Sequence, residues 1–286
     1  YDIIISGSDC VWEWSTIPLP NAYYQFGDFG AKKMSYAASA GTDEFEKLLK
    51  EDQQKLRAAI EEFSYVGVRD TSTEYVVSQA SPETAVHHNC DPTTLLDTSA
   101  LSKYREKVKN KLTTAGIDLS KPIVGIMGNE KLGKLARDIF GDSVQYVGVY
   151  VPNSYCDVMV MDITVLEWMA IFGLFGLTFT TFFHGTMLSL ANHTPVLSFD
   201  YLPETKKQIT KLHELYNRLD LPGFYNKGKR VFDEKDVTEI GKTAKDMLYT
   251  PQKERIAVEL SKEAQSYDSF YNALKELRET SNETRI

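Results

Sequence analysis

The chain has 286 residues, of which 42% are hydrophobic and 25% charged, and a formal net charge of −8 at pH 7. That length suggests two domains of roughly 100 to 200 residues each, and the composition is that of an ordinary soluble globular protein. The acidic balance argues against a general nucleic-acid binder, which needs a basic field to displace counterions from phosphates; a small anionic ligand would need only a local basic cluster.

Tyr1 to Asp9 is a short apolar run closed by Gly7-Ser8-Asp9, the pattern of a parallel strand whose carboxyl end feeds a loop. Open α/β sheets bind ligands at that edge. The loop Cys10 to Gly30 carries Trp12, Trp14, Tyr23, Tyr24, Phe26 and Phe29. Its aromatics suit either carbohydrate stacking or a packed satellite core. Lys33 to Gly41 reads as a second strand, and Thr42 to Glu62 as an amphipathic helix or helix pair with Phe45, Leu48, Leu49, Leu56 and Ile60 at helical intervals. Tyr65 to Asp70 is a third strand. A helix follows from Thr71, with Thr71 or Ser72 as its cap, and Ala85 to Pro92 is a fourth strand and turn.

Residues 93–122 read as the boundary between domains. The basic run Lys103, Arg105, Lys107, Lys109 and Lys111 is a solvated helix face in the plainer reading and a binding patch in the other. A second alternating series follows: strand Ile123 to Met127, helix Glu130 to Phe140, strand Val144 to Val151, helix Val165 to Phe172, strand Leu177 to Phe183, helix Thr186 to Ala191 and strand Val196 to Phe199. Tyr201 to Arg218, Asp236 to Tyr249 and a long run from Lys253 to Arg278 read as helices. Strand-helix alternation of this kind predicts doubly wound parallel sheets. The predicted fold is therefore α/β with two similar doubly wound halves, 1–98 and 99–286, facing a cleft between carboxyl edges, with a long C-terminal helix in the second.

Cys10, Cys90 and Cys156 show no CxxC or Cys/His metal spacing, which predicts reduced thiols in a cytosolic setting. His87 and His88 lie beside Asp91, but no second cluster completes a metal site, so no metal is expected. No signal-peptide pattern is visible, and the chain opens in mid-strand at Tyr1 without an initiator Met, as a trimmed or incomplete start would.

Between Trp168 and Phe199 there is no Asp, Glu, Lys or Arg. The stretch is long enough for a membrane span, which takes about 20 apolar residues, yet Gly173, Gly176, Gly185, Asn192 and Pro195 interrupt it. A buried helix-strand-helix-strand run is the better reading. His184 and His193 are its titratable side chains, and His184 stands where an apolar strand gives way to a small-residue turn and a helix.

Several stretches, taken together, carry a family resemblance. Tyr1-Asp-Ile-Ile-Ile-Ser-Gly-Ser-Asp-Cys-Val-Trp12, Met34-Ser-Tyr-Ala-Ala-Ser-Ala-Gly41, Val66-Gly-Val-Arg-Asp70, Asp91-Pro-Thr-Thr-Leu-Leu96 and Phe183-His-Gly-Thr-Met-Leu-Ser-Leu190 resemble, in order and spacing, motifs of the polysaccharide pyruvyl transferase family. The resemblance implies a fold of two Rossmann-like domains similar to the GT-B glycosyltransferases, an acceptor side in the first domain, and first strand-helix units that lie upstream of Tyr1. It also implies an enzyme that moves a pyruvyl group from phosphoenolpyruvate to a sugar of a cell-surface polysaccharide or its lipid-linked precursor. Phosphoenolpyruvate is then the donor substrate and a glycan the acceptor, with no other cofactor. The expected place is the cytoplasm, with room for peripheral association with membrane-bound glycan assembly machinery at the inner face. Phe182 departs from the pattern, since many members carry Arg there and others a small polar residue; an Arg would be a rigid bidentate anion donor. The later Tyr-Asp-x-Lys stretch is also altered, to Phe199-Asp-Tyr-Leu-Pro-Glu-Thr-Lys206.

Chemistry assigns roles within that resemblance. His184 is expected as general acid or electrostatic partner, because imidazole titrates near working pH. The amides of Gly185 and Thr186 are expected to receive phosphate or carboxylate oxygens at a helix start. Arg69 would clamp the same anion, or else pair with Asp70 or another carboxylate. Lys206, with Lys207 as its rival, is a third cation. Asp9 and Ser8 are placed for the acceptor hydroxyl, or cap a turn, and Trp12 is a candidate for substrate binding. Two other readings are a GT-B glycosyltransferase using a nucleotide-sugar donor and a non-catalytic glycan-binding protein of a polysaccharide assembly system, which Phe182 keeps in view.

Overall fold

The computed structural model describes residues 1–41, 43–201, 210–229 and 231–283. The chain forms two compact units, one built on Tyr1–Pro92 and Lys262–Ile286, the other on Thr93–Lys206 and Thr210–Ser261. The boundary predicted at residue 98 thus falls at Pro92, and the C-terminal segment belongs to the first unit, not the second.

In the first unit, β1 (Ile3–Ser6), β2 (Lys32–Ala38), β3 (Phe63–Val68) and β4 (Val86–His88) pair in parallel, in the order β1-β2-β3-β4. Such strands are covered on both faces, so they read as continuous apolar runs whose alternate residues enter different cores. Val66 and Val68 of β3 pack with Leu56 and Ile60 of α1 (Lys50–Glu61) and with Val76 and Val77 of α2 (Thr71–Ala80). Met34, Tyr36 and Tyr65 face the other way, onto Phe270 of α10 (Tyr267–Glu283). The predicted helix over 42–62 starts as a 3-10 turn at Phe45–Lys47 before α1. Asp70, not Thr71 or Ser72, caps α2, accepting from the Thr73 amide at 3.0 Å.

In the second unit, β5 (Ile123–Met127), β6 (Gln145–Val149), β7 (Val158–Val160), β8 (Leu177–Thr180), β9 (Val196–Asp200) and β10 (Tyr225–Lys227) form a parallel sheet ordered β10-β9-β8-β5-β6-β7. The short edge strands β7 and β10 lie outside the predicted series. Along β5 the period of two is explicit. Val124 and Ile126 pack with α4 (Glu130–Phe140), whereas Ile123 and Met127 join the core under α3 (Ser102–Thr114) and α5 (Val165–Ile171). The basic run lies on α3, where Lys109 pairs with Glu106, Lys111 pairs with Glu167, and Lys103 lies over the Tyr104 ring.

The uncharged stretch folds around α6 (Phe183–Ala191), which is buried from Gly185 to Ala191. A helix apolar on all sides belongs in a core or a membrane; here it is core, and no described helix is long and apolar enough to cross a membrane. Beyond α7 (Lys211–Arg218) and α8 (Glu234–Tyr249), the predicted run over 253–278 is two helices, α9 (Lys253–Ala264) and α10. None of the three cysteines is in a disulfide.

Candidate functional site

Strand order places the site. From β5 the sheet of the second unit grows through β6 and β7 on one side, and through β8, β9 and β10 on the other. Between β5 and β8 the winding reverses, and a doubly wound sheet leaves its ligand crevice at the carboxyl ends of that pair. The turn Thr181–Phe182 and the start of α6 stand there, following Thr180 of β8. Exposure is confined to that turn: Thr181, Phe182, Phe183 and His184 are half-buried, whereas the next seven residues are buried.

Local hydrogen bonds hold this turn. The Phe182 amide donates to Thr180 Oγ1 at 3.0 Å, and α6 begins without a capping side chain. The first-turn amides of His184 and Gly185 have no helix carbonyl to reach. This makes the amino end of α6 receptive to an anion. The expected pair of amides moves by one residue, because α6 starts at Phe183 and the Thr186 amide donates to the Phe182 carbonyl at 3.0 Å. Thr186 works through its side chain instead. Its Oγ1 meets Ser198 Oγ at 2.7 Å, which meets the Tyr216 hydroxyl at 2.8 Å, and burial raises the Tyr216 pKa. Gly185 must be glycine, since a Cβ there would lie 2.3 Å from Thr180 Oγ1 and 2.8 Å from Met127 Sδ.

The His184 imidazole meets Phe183 edge-on at 5.7 Å and hydrogen-bonds to no other described residue. It is therefore available to a ligand at the switch point. Lys206 and its rival Lys207 lie outside the described residues.

In the first unit the carboxyl edge gathers Ser8, Asp9 and Arg69. Ser8 is half-buried in the loop after β1. Asp9 adopts φ 68°, a left-handed conformation that Asp takes more readily than most residues, and its carboxylate is 54% exposed. Arg69 corrects the expectation of an open anion clamp. It is 2% exposed and is held by Asp91 Oδ2 at 2.7 Å and Asp9 Oδ1 at 3.0 Å. Burial works against its charge, but Asp91 and Asp9 outweigh burial and raise its pKa. Asp70 adds its charge to this environment, while its carboxylate caps α2.

Asp91 is the residue that sequence reasoning missed. It lies 22 positions from Arg69, and only the neighbouring carboxyl ends of β3 and β4 bring them together. Trp12 is a second correction: it is fully buried, stacked on Tyr24 at 4.9 Å, and donates its indole N–H to the Tyr23 carbonyl. The loop Cys10 to Gly30 is thus, around Trp12 and Tyr24, a packed core that supports the edge. His87 stacks on Tyr65 at 4.5 Å, and no group of metal-ligating side chains occurs among the described residues.

Solved structures with similar architecture include the alpha,alpha-trehalose 6-phosphate synthase of Burkholderia multivorans, at a TM-score of 0.52 and 9% identity over 99% of this chain and 72% of that one. The trehalose-6-phosphate synthase OtsA is similar at a TM-score of 0.51 and 8% identity, over 86% of this chain and 67% of that one. At such identity the likeness defines fold alone: two Rossmann-like domains similar in fold to those of GT-B glycosyltransferases. No curated protein sequence matches. The sequence profile of the polysaccharide pyruvyl transferases matches residues 1–203, and the chain belongs to that family, which makes it a transferase of that type.

Proposed function

We propose that the protein transfers the pyruvyl group of phosphoenolpyruvate to two hydroxyls of one sugar, forming a cyclic ketal and releasing inorganic phosphate. The observation that carries this reading is His184 on the uncapped first turn of α6, at the switch point of the second sheet. A side chain able to give a proton, beside amides suited to a carboxylate or phosphate, supports the reading.

The chemistry runs in two additions. Protonation of the donor's methylene carbon leaves a cationic centre at C2, and the first sugar hydroxyl adds there and loses its proton. The C2–O bond to phosphate then breaks, phosphate leaves with the electron pair, and the second hydroxyl closes the ketal. One proton enters the new methyl group and two leave the hydroxyls, the balance going to phosphate. In this reading His184 delivers the proton or stabilises the bound anion, and the amides of His184 and Gly185 hold donor oxygens. In the first unit, Arg69 positions Asp9 through their 3.0 Å contact.

Incubation of the purified protein with phosphoenolpyruvate and a hexose-containing glycan should release phosphate and add a pyruvyl mass to the glycan. His184→Gln should lower turnover about 10²- to 10⁴-fold, the usual contribution of a general acid, with an unchanged urea midpoint. Undiminished turnover would remove His184 from the chemistry. A rise in melting temperature with nucleotide sugars and none with phosphoenolpyruvate would instead favour a glycosyltransferase, because only a ligand of the native state stabilises it.

A further inference from the structure

Two strands away from His184, the carboxyl ends of β6 and β7 frame a hollow of about 380 Å³ lined by Tyr150, Val160, Met161, Ile163, Val165 and Trp168. No charged side chain lines it. Its apolar groups are unusually open to water, with Tyr150 60%, Met161 55% and Val165 67% exposed. Tyr150 holds φ 69°, a backbone region that a bulky residue rarely occupies and that a fold keeps where it has a use. Its ring meets Phe182 edge-on, at 5.4 Å and 86°. Phe182 is the N-cap residue of α6, so the turn that carries His184 touches the Tyr150 wall of the hollow.

We propose that this hollow is a subsite for a neutral pyranose ring of the glycan acceptor, stacked on Tyr150, which moves the acceptor from the first domain, where the resemblance implies it, to the second unit. The inference rests on the reading of the protein as a pyruvyl transferase, which needs places for one anion and one uncharged sugar. An uncharged, apolar lining cannot hold phosphoenolpyruvate, which needs cations or amide donors. It does suit the C–H face of a sugar, whose hydroxyls can remain at the wet rim, in the usual pattern of apolar ligand pockets with few polar groups. The departure at Phe182 then has a use. Where an arginine would carry charge to the border of the hollow, Phe182 extends the aromatic wall and supports the Tyr150 ring.

Two measurements test this. Saturation-transfer NMR on the wild-type protein, with methyl hexopyranosides of the gluco, galacto and manno series as probes, should show transfer to the ring C–H protons of at least one. Tyr150→Asn, which tolerates the left-handed backbone, should abolish the transfer, and Tyr150→Phe should keep it. In phosphate-release assays Tyr150→Asn should raise the KM for the glycan about tenfold, the equivalent of one aromatic contact, and leave the KM for phosphoenolpyruvate unchanged. No transfer to any pyranoside, or transfer that Tyr150→Asn leaves intact, would overturn the subsite. So would an unchanged glycan KM in that variant, or Tyr150-dependent binding of an octyl chain or of uridine monophosphate in place of the sugars. Tyr150-dependent pyranoside binding without phosphate release would uphold the subsite and defeat the pyruvyl transfer instead.

Discussion

Arg69 shows how one residue type can serve two purposes that its sequence neighbours do not distinguish. At a strand end it could meet a substrate anion or an internal carboxylate, and burial decides for the carboxylates. With Arg69 and Asp91 at 2% and 3% exposure, the pair is a buried one whose rupture is expensive. Arg69→Met should cost about 3–5 kcal/mol, since it strands the Asp91 charge. Asp9→Asn at the exposed end of the network should cost less than about 1 kcal/mol. Urea unfolding of both variants checks this difference; equal destabilisation would show that Asp9 also is a structural anchor.

At the scale of the element, the β8–α6 turn concentrates the candidate chemistry because its packing leaves no alternative. Gly185 brings the helix against Thr180 and Met127, and the chain Thr186–Ser198–Tyr216 ties the same turn to β9 and α7. Gly185→Ala should therefore destabilise by about 1–3 kcal/mol through overpacking, and should shift the amide resonances of Phe182 to Thr186 in NMR spectra. A stability and a spectrum equal to wild type would mean that the helix has space to move. The turn was largely readable in advance, since an uncharged run with a small residue after a histidine marks a strand-turn-helix. The exact helix start was not, because Phe182 lacks a capping side chain and so gives no signal.

At the scale of the whole molecule, the chain's last helix completes the sheet formed by its first residues. Phe270 is buried against Tyr36 at 4.7 Å and Tyr65 at 5.6 Å, and Tyr65 also bonds to Ser269 at 2.8 Å. Phe270→Ala should cost about 3–5 kcal/mol, with loss of hydrogen-exchange protection in β2 and β3 and little change in β5 and β8, because the two units have separate cores. Uniform loss across both sheets would show that they unfold as one.

Strand-helix alternation, the buried nature of the uncharged stretch and the position of His184 at a sheet edge were determined by the sequence alone. Each depends on local properties: a period of two or of 3.6, the absence of charge, and small residues at a turn. Only the tertiary structure decided that Trp12 is core, that Asp91 holds Arg69, and that α10 covers the first sheet. It alone set Tyr150 against Phe182. These facts depend on which strands lie side by side, and strand order is a property of the packed sheet that no local pattern encodes.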